Sequence, residues 1–136
     1  MGGGASSVII LDKIATTDRQ VRVRVFEGSP DKAIGPGYAF DVDQSSTNLT
    51  NSPIDYVSIK GSRDEEHFLT WVKENEDIWR SHFPEIETDK LTLSGSFLPR
   101  KLAGIYLQES YKALKKKLHV EEIRVEVLNV VPKGTQ

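Results

Sequence analysis

The chain of 136 residues contains no cysteine. That excludes disulfide bonds, thiolate nucleophiles and cysteine-ligated zinc or iron–sulfur sites. Histidine is sparse, and His67, His82 and His119 are dispersed with no metal-ligand spacing such as H-x-x-x-H. No segment approaches the ~20 consecutive apolar residues that cross a bilayer. The first residues lack the charged, apolar and cleavage regions of an export signal. Neither a membrane nor nucleic acid is expected as a partner, and the cytoplasm is the expected location. Neither sign of charge dominates: 18 Lys and Arg against 20 Asp and Glu leave a formal net charge of -2, with no strong pull toward a polyanion. Ser94-Gly95-Ser96 lacks the G-x-S-x-G frame of a nucleophile elbow. The pairs Glu65-Glu66, Glu85/Glu87 and Glu121-Glu122 read as solvated faces rather than as an acid/base dyad. The catalytic residue of any enzyme here is unidentified. Asn48-Leu49-Thr50 fits a glycosylation acceptor and, without an export signal, reads as chance.

What is present begins at the second residue. Met1 is followed by Gly2-Gly3-Gly4-Ala5-Ser6-Ser7, then by the apolar run Val8-Ile9-Ile10-Leu11. Gly2, Gly4 and Ser7 fit G-x-G-x-x-[small]. In that pattern the first glycine permits a tight turn and the second lets backbone amides approach a pyrophosphate. The third position needs a small side chain where helix meets strand. A helix N-terminus after such a turn offers free amides and partial positive charge to a phosphate. The same residues also fit a flexible N-terminal tail. Val21–Phe26 alternates Val and Arg, which is a strand with one apolar and one cationic face. Arg22 and Arg24 place it near an edge or under a helix along which they snorkel. Glu27 follows at its tip, 25 positions after Gly2. An acid there either holds ribose hydroxyls or is merely solvated.

The spacing predicts a first helix over Ala5–Ala15 with Val8, Leu11 and Ile14 inward and Ile9 and Ile10 widening that face. Thr16-Thr17-Asp18 should end it. The stretch 28–61 is rich in Gly, Pro, Ser, Asn and Asp, and a loop of that length is usually functional or disordered. Asp64–Arg80 reads as one helix with Phe68, Trp71, Val72, Ile78 and Trp79 as its core stripe, capped by Ser62 or Asp64. A mixed connection is expected over Phe83–Gly95. A second long helix is expected over Pro99–Leu118, with lysines 112 and 115–117 near its C-terminal end. The last expected element is a strand over Ile123–Val131, ended by Pro132-Lys133-Gly134.

Several further segments give these elements a family resemblance. Gly35-Pro36-Gly37-Tyr38-Ala39-Phe40 resembles a G-x-G-x-A-Y motif, and Leu49-Thr50-Asn51-Ser52-Pro53 resembles L-L-N-V-P. Val57-Ser58 stands where that family tends to have Met-Ser. Phe68-Leu69-Thr70-Trp71 resembles its F-x-x-W helix, and the run Phe97–Leu107 resembles F-x-P-R-x-x-x-G-x-Y-L. In order behind a glycine turn and an acid, these motifs resemble the FAD-NAD(P)-binding proteins, a Rossmann-type flavoprotein group. The resemblance covers nearly the whole chain but only the N-terminal part of that family's domain. It implies FAD as cofactor, with NAD(P) as the other candidate, within an oxidoreductase. Gly2, Gly3, Gly4, Ser6 and Ser7 would then line the pyrophosphate, and Glu27 would hold the adenosine ribose. Gly35, Gly37 and Tyr38, with Asn51 and Pro53, would run near the ribityl chain and the flavin ring. Arg100 would point at the cofactor or an anionic group, or instead form a surface salt bridge with Asp or Glu.

The fold expected is α/β: a single partial Rossmann-like FAD/NAD(P)-binding domain over 1–136 that lacks the usual first strand, with two long helices inserted after the second strand. That first strand lies centrally in the parallel sheet, and its loss leaves edges that invite association. Three situations follow. The chain is a fragment of a longer protein; or a complementary chain supplies the strand; or the sheet is rebuilt, with Ile123–Val131 in the vacant slot or paired across a homodimer. The leading reading is an FAD-binding module, incomplete by itself. The alternative is a non-catalytic interaction or regulatory module that keeps the fold without the flavin.

Overall fold

The computed structural model describes residues 1–84, 86, 87, 89 and 94–131. Glu85 of the Glu85/Glu87 pair, parts of the 83–95 connection and the expected Pro132-Lys133-Gly134 stop lie outside the described residues. In chain order the elements are α1 (Ala5–Ala15), β1 (Arg22–Phe26), α2 (His67–Glu74), α3 (Glu76–Trp79), α4 (Arg100–Lys117) and β2 (His119–Ile123). Short 3-10 turns at Ile54–Tyr56, Gly61–Arg63 and Arg80–His82 punctuate the connections.

The first helix forms where the spacing places it. Val8 and Leu11 are fully buried, whereas Ile9 and Ile10 stay exposed and do not widen the inward face. The threonines end it by competing for its last carbonyls: Thr16 Oγ1 donates to Lys13 O at 2.7 Å and Thr17 Oγ1 to Ile14 O at 2.8 Å. Alternation in β1 sorts its residues as expected, with Val23 and Val25 buried and Arg22 and Arg24 in solvent. Arg24 pairs across the sheet with Glu121 at 2.8 Å, which holds that carboxyl below its usual range.

Two expectations are corrected. The single helix over Asp64–Arg80 is broken into α2, α3 and a 3-10 turn, and neither Ser62 nor Asp64 caps it. The break is at Asn75, whose φ of -123° and ψ of 39° leave the helical region while its Nδ2 donates back to Trp71 O at 2.9 Å. The bend lets Trp79 reach the core, where its indole N–H donates to Val72 O at 2.8 Å. The last strand is His119–Ile123, not Ile123–Val131. Its length is set by β1. The two strands pair in parallel from Arg22↔His119 to Phe26↔Ile123, and beyond that register β1 has no more chain to offer. Residues 124–131 therefore run on without secondary structure.

The slot on the other side of β1 holds Met1 and Gly2. Phe26 N donates to Met1 O at 2.8 Å, the Met1 amine donates to Arg24 O at 2.9 Å, and Gly2 aligns in parallel with Phe26. The core lies between this sheet and the helices, with α1 packed chiefly on α4. Trp79, Tyr106, Phe68 and Phe83 are its largest fully buried side chains. At Gly104 in α4 the backbone of the 34–42 loop comes so close that a Cβ would lie 1.9 Å from Phe40 O.

Candidate nucleotide site

The glycine turn, the tip of β1 and the start of the long loop meet at one end of the sheet. α1 begins at Gly4 with no side-chain cap and no acid in its first turn. No side chain of its first turn caps the leading N–H groups or offsets the dipole there. Ser7 is buried, and its hydroxyl donates to Gly2 O. It pins the turn rather than facing a ligand, which is the packing task of the third position in the motif.

Glu27 lies across the turn. A Cβ on Gly3 would stand 2.5 Å from Glu27 Oε2, so only glycine lets the carboxylate lie there. The other oxygen, Oε1, accepts from Ser29 N at 3.1 Å, which orients the group. The second glycine motif packs on the first. Gly35 N donates to Gly3 O at 2.8 Å. Gly37 has a φ of +60°, and a Cβ there would meet Gly4 Cα at 2.9 Å. Motifs some 30 residues apart in sequence thus form one backbone surface.

That surface borders a cavity of about 920 Å³. Its walls include Met1, Gly2, Phe26, Glu27, Gly28, Ser29 and Tyr38 on one side, and residues 125–127 and 129–131 on the other. The volume is within the range of small-molecule and cofactor sites. A Cβ on Gly2 would meet nothing within 4 Å, so this glycine opens directly onto free space. Gly2, Glu27 and Tyr38 are the predicted site residues that line it, with Gly3, Gly4, Gly35 and Gly37 close behind. Ser6 is exposed on the first turn of α1.

Asn51, Pro53 and Arg100 are gathered elsewhere and line no part of this cavity. Arg100 donates through Nε to Leu49 O at 2.9 Å and through Nη2 to Asn51 Oδ1 at 2.6 Å. Its own amide donates to Asn48 O at 2.7 Å, beside an antiparallel bridge between Leu49 and Pro99. The guanidinium thus ties the 48–51 loop to the start of α4, and the expected salt bridge with Asp or Glu is not among its bonds in the described residues.

The histidine that sequence reasoning set aside is part of a buried polar knot. Tyr106 Oη accepts from Ile59 N at 3.1 Å and lies 2.6 Å from His67 Nδ1. The phenol can donate to Nδ1 or accept from it, according to the ring tautomer. Burial lowers the His67 pKa, with Lys60 adding to the effect, and raises that of the Tyr106 phenol. The signal was present in the order of the motifs: Val57-Ser58, Phe68–Trp71 and Tyr106 belong to three separate runs that meet here. Trp71 meets the Tyr106 ring edge-on at 5.5 Å, and Phe68 lies tilted against it at 4.7 Å.

The FAD-NAD(P)-binding family model matches residues 1–136, the whole chain. The chain belongs to the FAD-NAD(P)-binding family. No curated protein and no solved structure matches it. Among the described residues, four helices and a small two-stranded parallel sheet agree with part of an FAD/NAD(P)-binding fold. No described helix is long and apolar enough to cross a membrane.

Proposed function

We propose that this chain is an FAD-binding module of an oxidoreductase, holding the adenosine diphosphate half of the cofactor in the 920 Å³ cavity. The observation that carries the reading is the juxtaposition of Gly2 and the oriented Glu27 carboxylate on one wall, with the rest of the glycine turn and the uncapped start of α1 behind them. The residues present fit such a group. The amides at the turn and helix start suit a pyrophosphate, and a carboxylate at the strand tip suits ribose hydroxyls. The same carboxylate would repel a ribose 2′-phosphate, which favours FAD or NAD over NADP. FAD, when bound, supplies the redox chemistry, and the chain supplies binding and orientation. Arg100 and Asn51 contribute by fixing the 48–51 loop.

Titration of the folded chain with FAD, followed by visible absorption, tests this. Saturable uptake is expected. Glu27→Ala should weaken it about tenfold or more, the worth of one charge-assisted hydrogen bond. Gly2→Asp should abolish it by placing a carboxylate in the phosphate path, without a backbone clash at that open position. A folded chain that takes up neither FAD nor NAD would overturn the reading in favour of a non-catalytic interaction module.

A further inference from the structure

Parallel strands give the sheet two unlike ends. The nucleotide cavity lies where β1 finishes, at Phe26. Where the strands start, at the register pair Arg22↔His119, a second cavity of about 520 Å³ opens. It lies between the end of α1, the turn into β1 and the junction of α4 with β2. Its volume suits a small molecule. Its walls carry Arg19, Arg22, Lys117 and His119 against one carboxylate, Asp18.

The cations around this cavity differ from their neighbours in having no ion pair. Arg24, on the same face of β1, is held by Glu121, and Lys112 and Lys115 are held by Glu109 and Glu122. Arg19, Arg22, Lys117 and His119 form no ion pair among the described residues. Glu121 is near enough for Arg22 and His119 to act on its charge, yet its bond goes to Arg24 Nε. The backbone N–H groups of residues 18–21 also make no hydrogen bond among the described residues. Cations are favoured beside the carbonyl ends of helices, but here those ends have other partners. Lys13 O and Ile14 O accept from the Thr16 and Thr17 hydroxyls, and Leu114 O accepts from Leu118 N.

We propose that this cavity binds the phosphate group of a small phosphorylated molecule, at a site separate from the nucleotide cavity. A phosphomonoester carries a charge of about -1.5 to -2 at pH 7 and three strong acceptor oxygens. Arg19, Arg22 and Lys117, set against Asp18, leave an excess of two positive charges to meet it. The guanidinium forks of the arginines match two phosphate oxygens at a time, and Lys117 adds a point charge. The free amides of residues 18–21 supply further donors. Ala15, Val21 and Leu118 complete the walls and suit the organic part of the ligand. A chain with a net charge of -2 has little pull on a long polyanion, which favours a small ligand over a polymer. The inference does not depend on the cofactor.

Amide chemical shifts of the whole labelled chain, followed as inorganic pyrophosphate is added at constant ionic strength, test it. Saturable shifts are expected at residues 18–22 and 117–119. Arg22→Gln with Lys117→Gln should raise the dissociation constant read there at least ~10-fold. Both side chains are exposed, so the fold should persist, checked by circular dichroism. Arg24→Gln lies on the same strand but outside the cavity, and should leave that constant unchanged. Residues 2–7 report the nucleotide cavity in the same spectra, so the two readings fail separately. Gly2→Asp should silence the glycine turn and leave residues 18–22 responding. Absence of saturable shifts at 18–22 overturns the proposal, as does a response that the double substitution leaves unaltered. Equal affinity for malonate, a dicarboxylate of like charge, overturns it in favour of a carboxylate site. Tighter binding of a single-stranded oligonucleotide, lost in the same double variant, overturns it in favour of a polymer-binding surface.

Discussion

At the scale of single residues, the knot around Tyr106 makes the clearest prediction. His67 is held neutral, with Lys60, Asp64, Asp12 and Glu74 as the charges that act on it. Its pKa in the folded chain lies below the ordinary 6.5, so below that pH the unfolded chain binds more protons than the folded one. Stability from this group is therefore complete above about pH 6.5 and is lost as the pH falls toward the lowered folded value. Thermal melts between about pH 7 and pH 5 should show this loss, and His67→Asn should flatten it. If the two melting profiles run parallel, the phenol–imidazole bond does not govern acid stability. Gly104 gives a second test, because two effects oppose there. Helix propensity alone would make Gly104→Ala stabilising by about 1 kcal/mol. A methyl group 1.9 Å from Phe40 O forces the loop away at a cost of about 3 kcal/mol. The net expectation is destabilisation of about 2 kcal/mol, measured by urea unfolding.

At the scale of elements, what was legible in the sequence followed local periodicity. The first helix and the last one stand almost residue for residue where the 3.6-residue pattern puts them, and β1 shows its alternation plainly. What was not legible depended on partners distant in the chain. Residues 123–131 have as good a strand pattern as 119–123, yet only the latter stretch meets β1. The Asn75 break was hidden because the apolar stripe continues through it, and only the need to bring Trp79 inward disrupts the helix. For the candidate site, the glycines and Glu27 were readable because their spacing is a local signature. Arg100 was not, since its bonds to Leu49 and Asn51 cross some 50 positions. Those bonds predict that Arg100→Ala loosens the 48–51 loop rather than the core. Limited proteolysis should show faster cleavage there, with a stability loss of only about 1 kcal/mol. A loss confined to the melting temperature, with the loop still resistant, would show that the anchor lies elsewhere.

At the scale of the whole molecule, ligand and fold share one free energy. If the cavity takes FAD, saturation at 100 times the dissociation constant should raise the unfolding free energy by about 2.7 kcal/mol. A thermal-shift series should climb with FAD in wild type and stay flat in Gly2→Asp. The strand pairing has another consequence, in time. Arg22 and His119 are neighbours in the sheet, but 97 residues of chain separate them. At about 5–20 residues per second, the ribosome completes β1 roughly 5–20 s before it has made the strand that pairs with it. During that interval one whole side of the strand is without its partner, and the arginines that alternate along it keep a newly made edge soluble while it waits.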